Sequence, residues 1–408
     1  MANSYLDHDI IIAGGGIPGL TLALLLGRAG CRVAVIEAGD LEAKAGQADT
    51  SGRTAALIPE NITLLEHIGA WATINPHAAP MRTLRIVDDC DMACSPIIRD
   101  FRAADIGLDN LGHNVPLHAT QIALYGQAKD VANITLLDNT KLYDFVHDDT
   151  GITIRTDNGT QMTASLLIGA DGRNSLVRAL AGIETQTHDY GQSALTAIVA
   201  HECDHAGISI EFHRPGGPFT LVPMPGRQSA LVWVVNNDEA ANIASMDATA
   251  QNAAIQARGR DMLGDIQLAT TLTQWPLCFR RAEALAAPRV ALMAEAAHVL
   301  PPTGAQGLNL SLRDAAGLAD TVIQAMRLGL DPGDFGNLRA YERARRRDIA
   351  LRSLASDSLN RLVRTSNPFI QLLRRSGLSL SNYASPVKNL LMQQGLAPTH
   401  NELDRDSA

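Results

Sequence analysis

Asp9-Ile-Ile-Ile-Ala13-Gly14-Gly-Gly16-Ile-Pro-Gly19-Leu-Thr-Leu-Ala-Leu-Leu-Leu26, continued by Cys31-Arg-Val-Ala-Val-Ile-Glu37, reads as a strand, a glycine turn, a helix and a second strand. The unbroken apolar run 10–13 suits a strand buried on both faces, and the run 20–26 suits a buried helix. Gly14 allows the tight turn, Gly16 lets the backbone approach a pyrophosphate, and Gly19 permits close packing of helix on strand. Glu37, about twenty residues on, ends the second strand where a carboxylate accepts hydrogen bonds from a ribose. This βαβ unit predicts a Rossmann-like α/β domain that binds an adenine dinucleotide. The pattern does not separate FAD from NAD; an acid at 37 argues only against a 2′-phosphate on that ribose.

Three further segments carry chemistry. Arg289-Val-Ala-Leu-Met-Ala-Glu295-Ala-Ala-His298-Val-Leu-Pro301-Pro302-Thr-Gly304-Ala-Gln306-Gly307-Leu-Asn309 predicts a strand over 290–293, an irregular loop over 301–307 and a helix from Leu308. Such a loop offers bare backbone N–H groups at a helix N-terminus, where partial positive charge stabilises an electron-rich ring or a developing anion. Leu166-Leu-Ile-Gly-Ala-Asp171-Gly172-Arg-Asn-Ser-Leu-Val-Arg178 again runs a strand into an acid and a glycine, a sequence that a plain turn suits equally well. In Asp49-Thr-Ser-Gly-Arg53-Thr-Ala-Ala-Leu57, Arg53 offers a guanidinium to a phosphate.

These segments, in this order, resemble the motifs of the FAD-dependent aromatic hydroxylases, in particular the branch that hydroxylates ubiquinone precursors. The likeness covers nearly the whole chain, including Leu111-Gly-His-Asn-Val-Pro116 and Tyr341-Glu-Arg-Ala-Arg345. It implies FAD as cofactor, held at Gly14, Gly16, Gly19, Glu37, Arg53, Asp171, Gly172, Glu295, Gly307 and Asn309. Pro301, Pro302, Gly304, Gln306, Gly307 and Asn309 would surround the flavin ring. One departure stands out: the family usually has Gly-Asp before Ala-Ala-His, and this chain has Ala294-Glu295. Glutamate keeps the carboxylate one methylene further out, and alanine puts the close backbone approach in question.

The resemblance implies a para-hydroxybenzoate-hydroxylase-like fold: a Rossmann-like FAD domain with an interleaved antiparallel-sheet substrate domain and C-terminal helices. The expected division gives 1–80, 101–185 and 280–335 to the FAD domain, 81–100 and 186–279 to the substrate domain, and 336–408 to a basic helical region. The residues themselves support the sheet: short extended runs over 194–201, 208–213, 219–222 and 230–235 are separated by turns at 216–218 and 223–226.

The implied reaction is hydroxylation of a polyprenylated phenol or quinone precursor by a flavin C4a-hydroperoxide formed from dioxygen. NADH, NADPH or a redox protein would supply the electrons. No metal and no catalytic dyad are required, and His298, between apolar Ala297 and Val299, is expected to be a packing residue. His113, His118 and His213 stay undecided. Two other readings remain open: a hydroxylase or dehydrogenase of another small aromatic, and a flavin-fold assembly subunit of the ubiquinone pathway.

Composition bounds the picture. With 408 residues, 46% of them hydrophobic and 19% charged, the chain is globular and long enough for two domains. A polar start over 1–9 lacks a secretory signal and no run is long enough to span a bilayer, so a cytoplasmic protein is expected. A net charge of −9 gives no reason to expect a nucleic-acid partner. Cys31, Cys90, Cys94, Cys203 and Cys278 are too scattered for a disulfide framework or a zinc site. From Arg339 to Lys388, however, eleven Lys or Arg face three acids. This basic, apolar-striped region suits either peripheral contact with the anionic inner membrane or an acidic partner, or a pair of helices packed on the core with solvated arginines. A homodimer or a place in a ubiquinone-biosynthesis complex is what the resemblance implies.

Overall fold

The computed structural model describes residues 6–45, 47, 52–89, 96–214, 216–301 and 306–364, with side chains of the last helix described to Arg352. Its first layer is a six-stranded sheet ordered Ala286–Ala287, Val290–Leu292, Leu166–Gly169, Ile10–Ala13, Val33–Ile36 and Ile134–Leu137. All neighbours are parallel except the first pair, so Ile10, Ile11 and Ile12 lie between two parallel partners and are fully buried. Parallel strands covered on both faces explain the unbroken apolar runs. The helix Ile17–Arg28 follows the first strand; the helices Gln306–Arg327 and Leu117–Lys129 pack against it, which accounts for its apolar residues all round.

A second sheet of nine strands holds Thr83–Asp88, Ile97–Arg102, Thr185–His201, Ile208–His213, Phe219–Met224, Gln228–Asn236, Ile266–Leu268, Thr273–Ala282 and His298–Val299. Side chains alternate between its faces: Leu195, Trp233 and Val235 join Phe212 and Phe219 under the helices Asn237–Ser245 and Ala248–Gly259, while Ala194 and Val234 face the other way with Tyr190 and Leu277. The three-stranded sheet of Thr54–Leu57, Gly112–Pro116 and Ala79–Met81 touches strand Phe219–Met224, linking the two layers.

Several expectations are corrected. The second sheet is not purely antiparallel, because Ile208–His213 pairs in parallel with Thr83–Asp88. It also takes Ile97–Arg102, which runs past residue 100 to complete the hairpin pairing of Thr83 with Arg102, and His298–Val299 from within 280–335. Pro223 is not in a turn: it pairs with Ser229, its carbonyl accepts from Asn114 Nδ2, and the chain reverses only around Gly226 at φ +78°. The last motif also differs in detail. A strand Val290–Leu292 leads into a short helix Ala294–Ala297, and the long helix begins at Gln306, placing Gly307 inside its first turn.

Of the expected C-terminal helices, the described residues hold one, Phe335–Arg364, which buries Leu338, Tyr341, Arg345 and Ile349. No described helix is long and apolar enough to cross a membrane. Residues 365–408, with the remaining basic stretch, lie outside the described residues, as do Cys90, Cys94, Pro302 and Gly304.

Candidate FAD site

The glycine loop is where sequence and geometry meet most closely. Gly14 has φ +114°, and a Cβ there would sit 2.3 Å from the Ala170 carbonyl oxygen. Gly19 packs the helix onto Gly14 in the same way. Gly16 is different. Its φ of −72° suits any residue, and a Cβ would meet only Pro18 Cδ at 3.8 Å. The protein's own packing therefore gives no reason for glycine at 16; a ligand lying against that backbone does. Gly16 caps the helix Ile17–Arg28 without a side-chain hydrogen bond, and no acid stands in the first turn. The first-turn N–H groups and the positive end of the helix are thus left to an anion.

Glu37 sits beside this loop, its Oε2 accepting from Gly15 N–H at 2.7 Å and its Oε1 from Gly39 N–H at 2.9 Å. Both oxygens are fixed and each keeps a lone pair, as a ribose-binding carboxylate needs. Gln121, not anticipated from the sequence, donates from Nε2 to the Gly15 carbonyl at 2.9 Å and steadies the loop from the helix Leu117–Lys129.

Asp171 has a structural role beside the cofactor contact that the family likeness implies. Its carboxylate accepts from Ser175 Oγ at 2.5 Å and from the N–H groups of Leu176 and Val177, so it caps the short helix Leu176–Leu180. Gly172, at φ +83°, makes the turn and leaves open space where a side chain would be. Arg178 is buried and donates to the carbonyls of Ala296 and Arg173, tying this loop to the last motif. Burial and the charge of Arg280 hold its guanidinium below the usual arginine value.

In the last motif, Ala294 stands at φ +53°, a left-handed conformation that favours glycine, which is what most of the family has there. Glu295 is half exposed and lies 3.5 Å from Arg173 of the Asp-Gly loop. His298, expected to be a packing residue, is buried with its Nε2 2.5 Å from Asp314 Oδ2. Asn309 is buried and works sideways. Its Oδ1 accepts from Ile58 N–H and Asn61 Nδ2, and its Nδ2 donates to the Ala56 carbonyl, clamping the long helix to strand Thr54–Leu57. Pro301 is buried; Gln306 and Gly307 open the long helix, and a Cβ on Gly307 would meet open space.

Arg53, just before strand Thr54–Leu57, has its guanidinium 4.6 Å from the ring centre of Trp275 in the second sheet. That stacking joins the three-stranded sheet to the nine-stranded one next to strand Thr54–Leu57. The undecided histidines have structural partners: His118 meets the Gln47 carbonyl, His213 meets Glu211, and His113 packs edge-on against Trp71. Among the described residues no His, Cys, Asp and Glu cluster has the make-up of a metal site. Two surface clefts, of about 230 and 460 Å³, lie away from these loops. The glycine cradle, the fixed ribose carboxylate and the uncapped helix start together fit FAD.

Comparison with known proteins agrees. Residues 7–351 match the FAD binding domain family. The ubiquinone hydroxylase UbiL of Rhodospirillum rubrum is 34% identical, the alignment covering 95% of this chain and 89% of that protein. The human ubiquinone biosynthesis monooxygenase COQ6 is 29% identical over 94% of this chain and 92% of its own length. The 3-demethoxyubiquinol 3-hydroxylase of Escherichia coli is 27% identical over 95% and 98%. Among solved structures, p-nitrophenol 4-monooxygenase PnpA of Pseudomonas putida superposes with a TM-score of 0.79 at 19% identity, covering 96% of this chain and 99% of that one. The same fold, an aromatic-hydroxylase cofactor cradle and relatives matched nearly end to end make this chain a member of the FAD-dependent aromatic hydroxylases, in the branch that contains the ubiquinone hydroxylases.

Proposed function

We propose that this protein uses FAD to insert one atom of dioxygen into the ring of a polyprenylated phenol or quinone precursor of ubiquinone. The alignment with the Rhodospirillum rubrum ubiquinone hydroxylase, 34% identical over 95% of this chain, carries the reading. The intact cradle at Gly14, Gly16 and Gly19 supports catalysis over a purely scaffolding role.

FAD would lie with its pyrophosphate on the backbone at Gly16 and its ribose on Glu37. The N–H groups opening the helix at Gln306 and Gly307 would face the flavin ring. Bound there, FAD supplies the activation of dioxygen by a reduced flavin. The chain's own contribution is to fix and enclose. Asn309 holds the start of the long helix against strand Thr54–Leu57, Arg53 ties that strand to the second sheet through Trp275, and helix-terminal N–H groups stabilise negative charge placed before them. Packing of the two layers excludes water from the reacting ring.

We further assign 1–80, 101–185 and 280–335 mainly to the cofactor domain, and 81–100 and 186–279 to the substrate domain. A lipid-tailed substrate favours work on the cytoplasmic side of the inner membrane, through peripheral contact. NADH, NADPH or a redox protein would deliver electrons, in a homodimer or a biosynthetic complex.

The test is the quinone profile of cells lacking this gene, carrying either the intact protein or Gly16→Trp. Loss of ubiquinone with build-up of a precursor short of one ring oxygen, restored only by the intact protein, supports the proposal and names the ring position. In cells with no second hydroxylase, an unchanged profile overturns it, and rescue by a flavin-free Gly16→Trp protein supports an assembly role instead.

A further inference from the structure

Asp314 is fully buried inside the helix Gln306–Arg327 and receives three donors. Ala294 N–H and His298 Nε2 reach its Oδ2 at 3.0 and 2.5 Å, and Arg345 Nε reaches its Oδ1 at 2.8 Å. The first two donors bracket the short helix that precedes the loop before Gln306. The third comes from the C-terminal helix Phe335–Arg364. Arg345 also binds Asp348 at 2.8 Å, Asp348 binds Arg352 at 2.7 Å, and Arg352 donates to Gln306 Oε1 at 3.2 Å. Arg313, next to Asp314, pairs with Glu60 one residue from the Asn61 that holds Asn309. Both flanks of the loop, Ala294–His298 on one side and Gln306 on the other, are therefore tied to one face of the C-terminal helix.

We propose that Arg345 and Asp314 form a clasp through which the C-terminal helix sets the segment Ala294–His298 and the helix start at Gln306, and so governs FAD affinity. Arg345 acts as a positioning residue and does not touch the cofactor. The geometry requires this unit to work as a whole. Ala294 holds a left-handed backbone without being glycine, and its N–H is pinned to Asp314. The Asp314 carboxylate is aligned by two cationic or donor groups from opposite sides, and only a guanidinium spans Asp314 and Asp348 at once. A packing role alone would not run connected charged links from one helix to both Ala294–His298 and Gln306. Because the affinity of one site is linked to the order of another, bound FAD must in turn steady the C-terminal helix.

This inference rests on the flavin assignment and not on the choice of substrate. The experiment uses the full-length protein stripped of flavin. It measures the FAD dissociation constant by fluorescence quenching, far-UV circular dichroism and the urea midpoint of the apoprotein, and hydrogen exchange with and without FAD. Arg345→Met should weaken FAD binding about tenfold with secondary structure retained, and Arg345→Lys should fall between it and the parent. FAD should slow exchange in 341–352 of the parent more than in the strands of the nine-stranded sheet, and this excess should vanish in Arg345→Met. An unchanged FAD affinity in Arg345→Met, or a lowered urea midpoint with FAD affinity intact, overturns the clasp. If Arg345→Met does not fold, Asp348→Asn decides: it loosens Arg345 and Arg352 without touching the loop, and wild-type FAD affinity there also overturns the proposal. A parent protein that binds no FAD would sink the flavin assignment itself.

Discussion

A Cβ on Gly19 would stand 2.0 Å from the carbonyl oxygen of Gly14. No side-chain movement relieves a backbone clash of that size, whereas the same atom on Gly16 would meet only Pro18 Cδ, at an ordinary contact distance of 3.8 Å. Gly19→Ala should therefore destabilise the apoprotein by about 3 kcal/mol or more. Gly16→Ala should shift apoprotein stability by less than about 1 kcal/mol while weakening FAD. Urea titration beside flavin fluorescence titration checks both; equal effects on stability would show that Gly16 is a packing glycine too.

Asn309 meets strand Thr54–Leu57 and the helix after it with donor and acceptor together, so its removal leaves more than one partly buried group without its partner. Asn309→Ala should cost about 2–4 kcal/mol by leaving the Ile58 N–H and the Ala56 carbonyl without their partner. Asn309→Asp, nearly identical in shape, should also destabilise at neutral pH because it turns the donor facing the Ala56 carbonyl into an acceptor. Denaturant midpoints of the two variants provide the measurement.

For Asp314, burial by itself raises the carboxyl, but the charges of His298 and Arg345 outweigh it and hold the group below the ordinary carboxylate value. A folded value below the unfolded one means that the stabilisation is complete above the unfolded value of about 4 and is lost as pH falls through the lower folded value. Asp314→Asn should thus be less stable than the parent at pH 7, and the gap should narrow below about pH 4. Urea midpoints across this range report it; a constant gap would mean that Asp314 does not titrate in that window.

Ala294, at φ +53°, offers an internal comparison with Ala316, a buried alanine inside the helix Gln306–Arg327. Relief of left-handed strain offsets the lost methyl and the freer unfolded chain, so Ala294→Gly should be within about 0.5 kcal/mol of neutral. Ala316→Gly has no such relief and should cost about 1–2 kcal/mol. Thermal or urea unfolding of the two variants tests the contrast.

The parts legible in the sequence were those whose cause is local. Gly14 and Gly19 could be read because a tight turn and a close helix crossing follow from their spacing, and the apolar runs of the six-stranded sheet follow from parallel pairing. Asp171 shows the limit: an acid before glycine is the same string whether or not it caps the helix that follows, and only the structure shows that its carboxylate holds Ser175, Leu176 and Val177. The partners of the last motif were not legible at all. Asn61 lies 248 residues from Asn309 and Arg345 lies 31 from Asp314, so no window of sequence contains either pair. The departure at Ala294 was visible as an unexpected residue type, but only the backbone angle showed what it means.

The interleaving of the two large sheets has a further consequence. The six-stranded sheet takes strands from residue 10 to residue 292 and the nine-stranded sheet from 83 to 299. No single cut of the polypeptide releases either one whole, so neither can be swapped between related genes as a cassette. An exchange of the whole second sheet must therefore bring in separate stretches of chain around 83–102, 185–282 and 298–299 and still leave the cofactor half able to close.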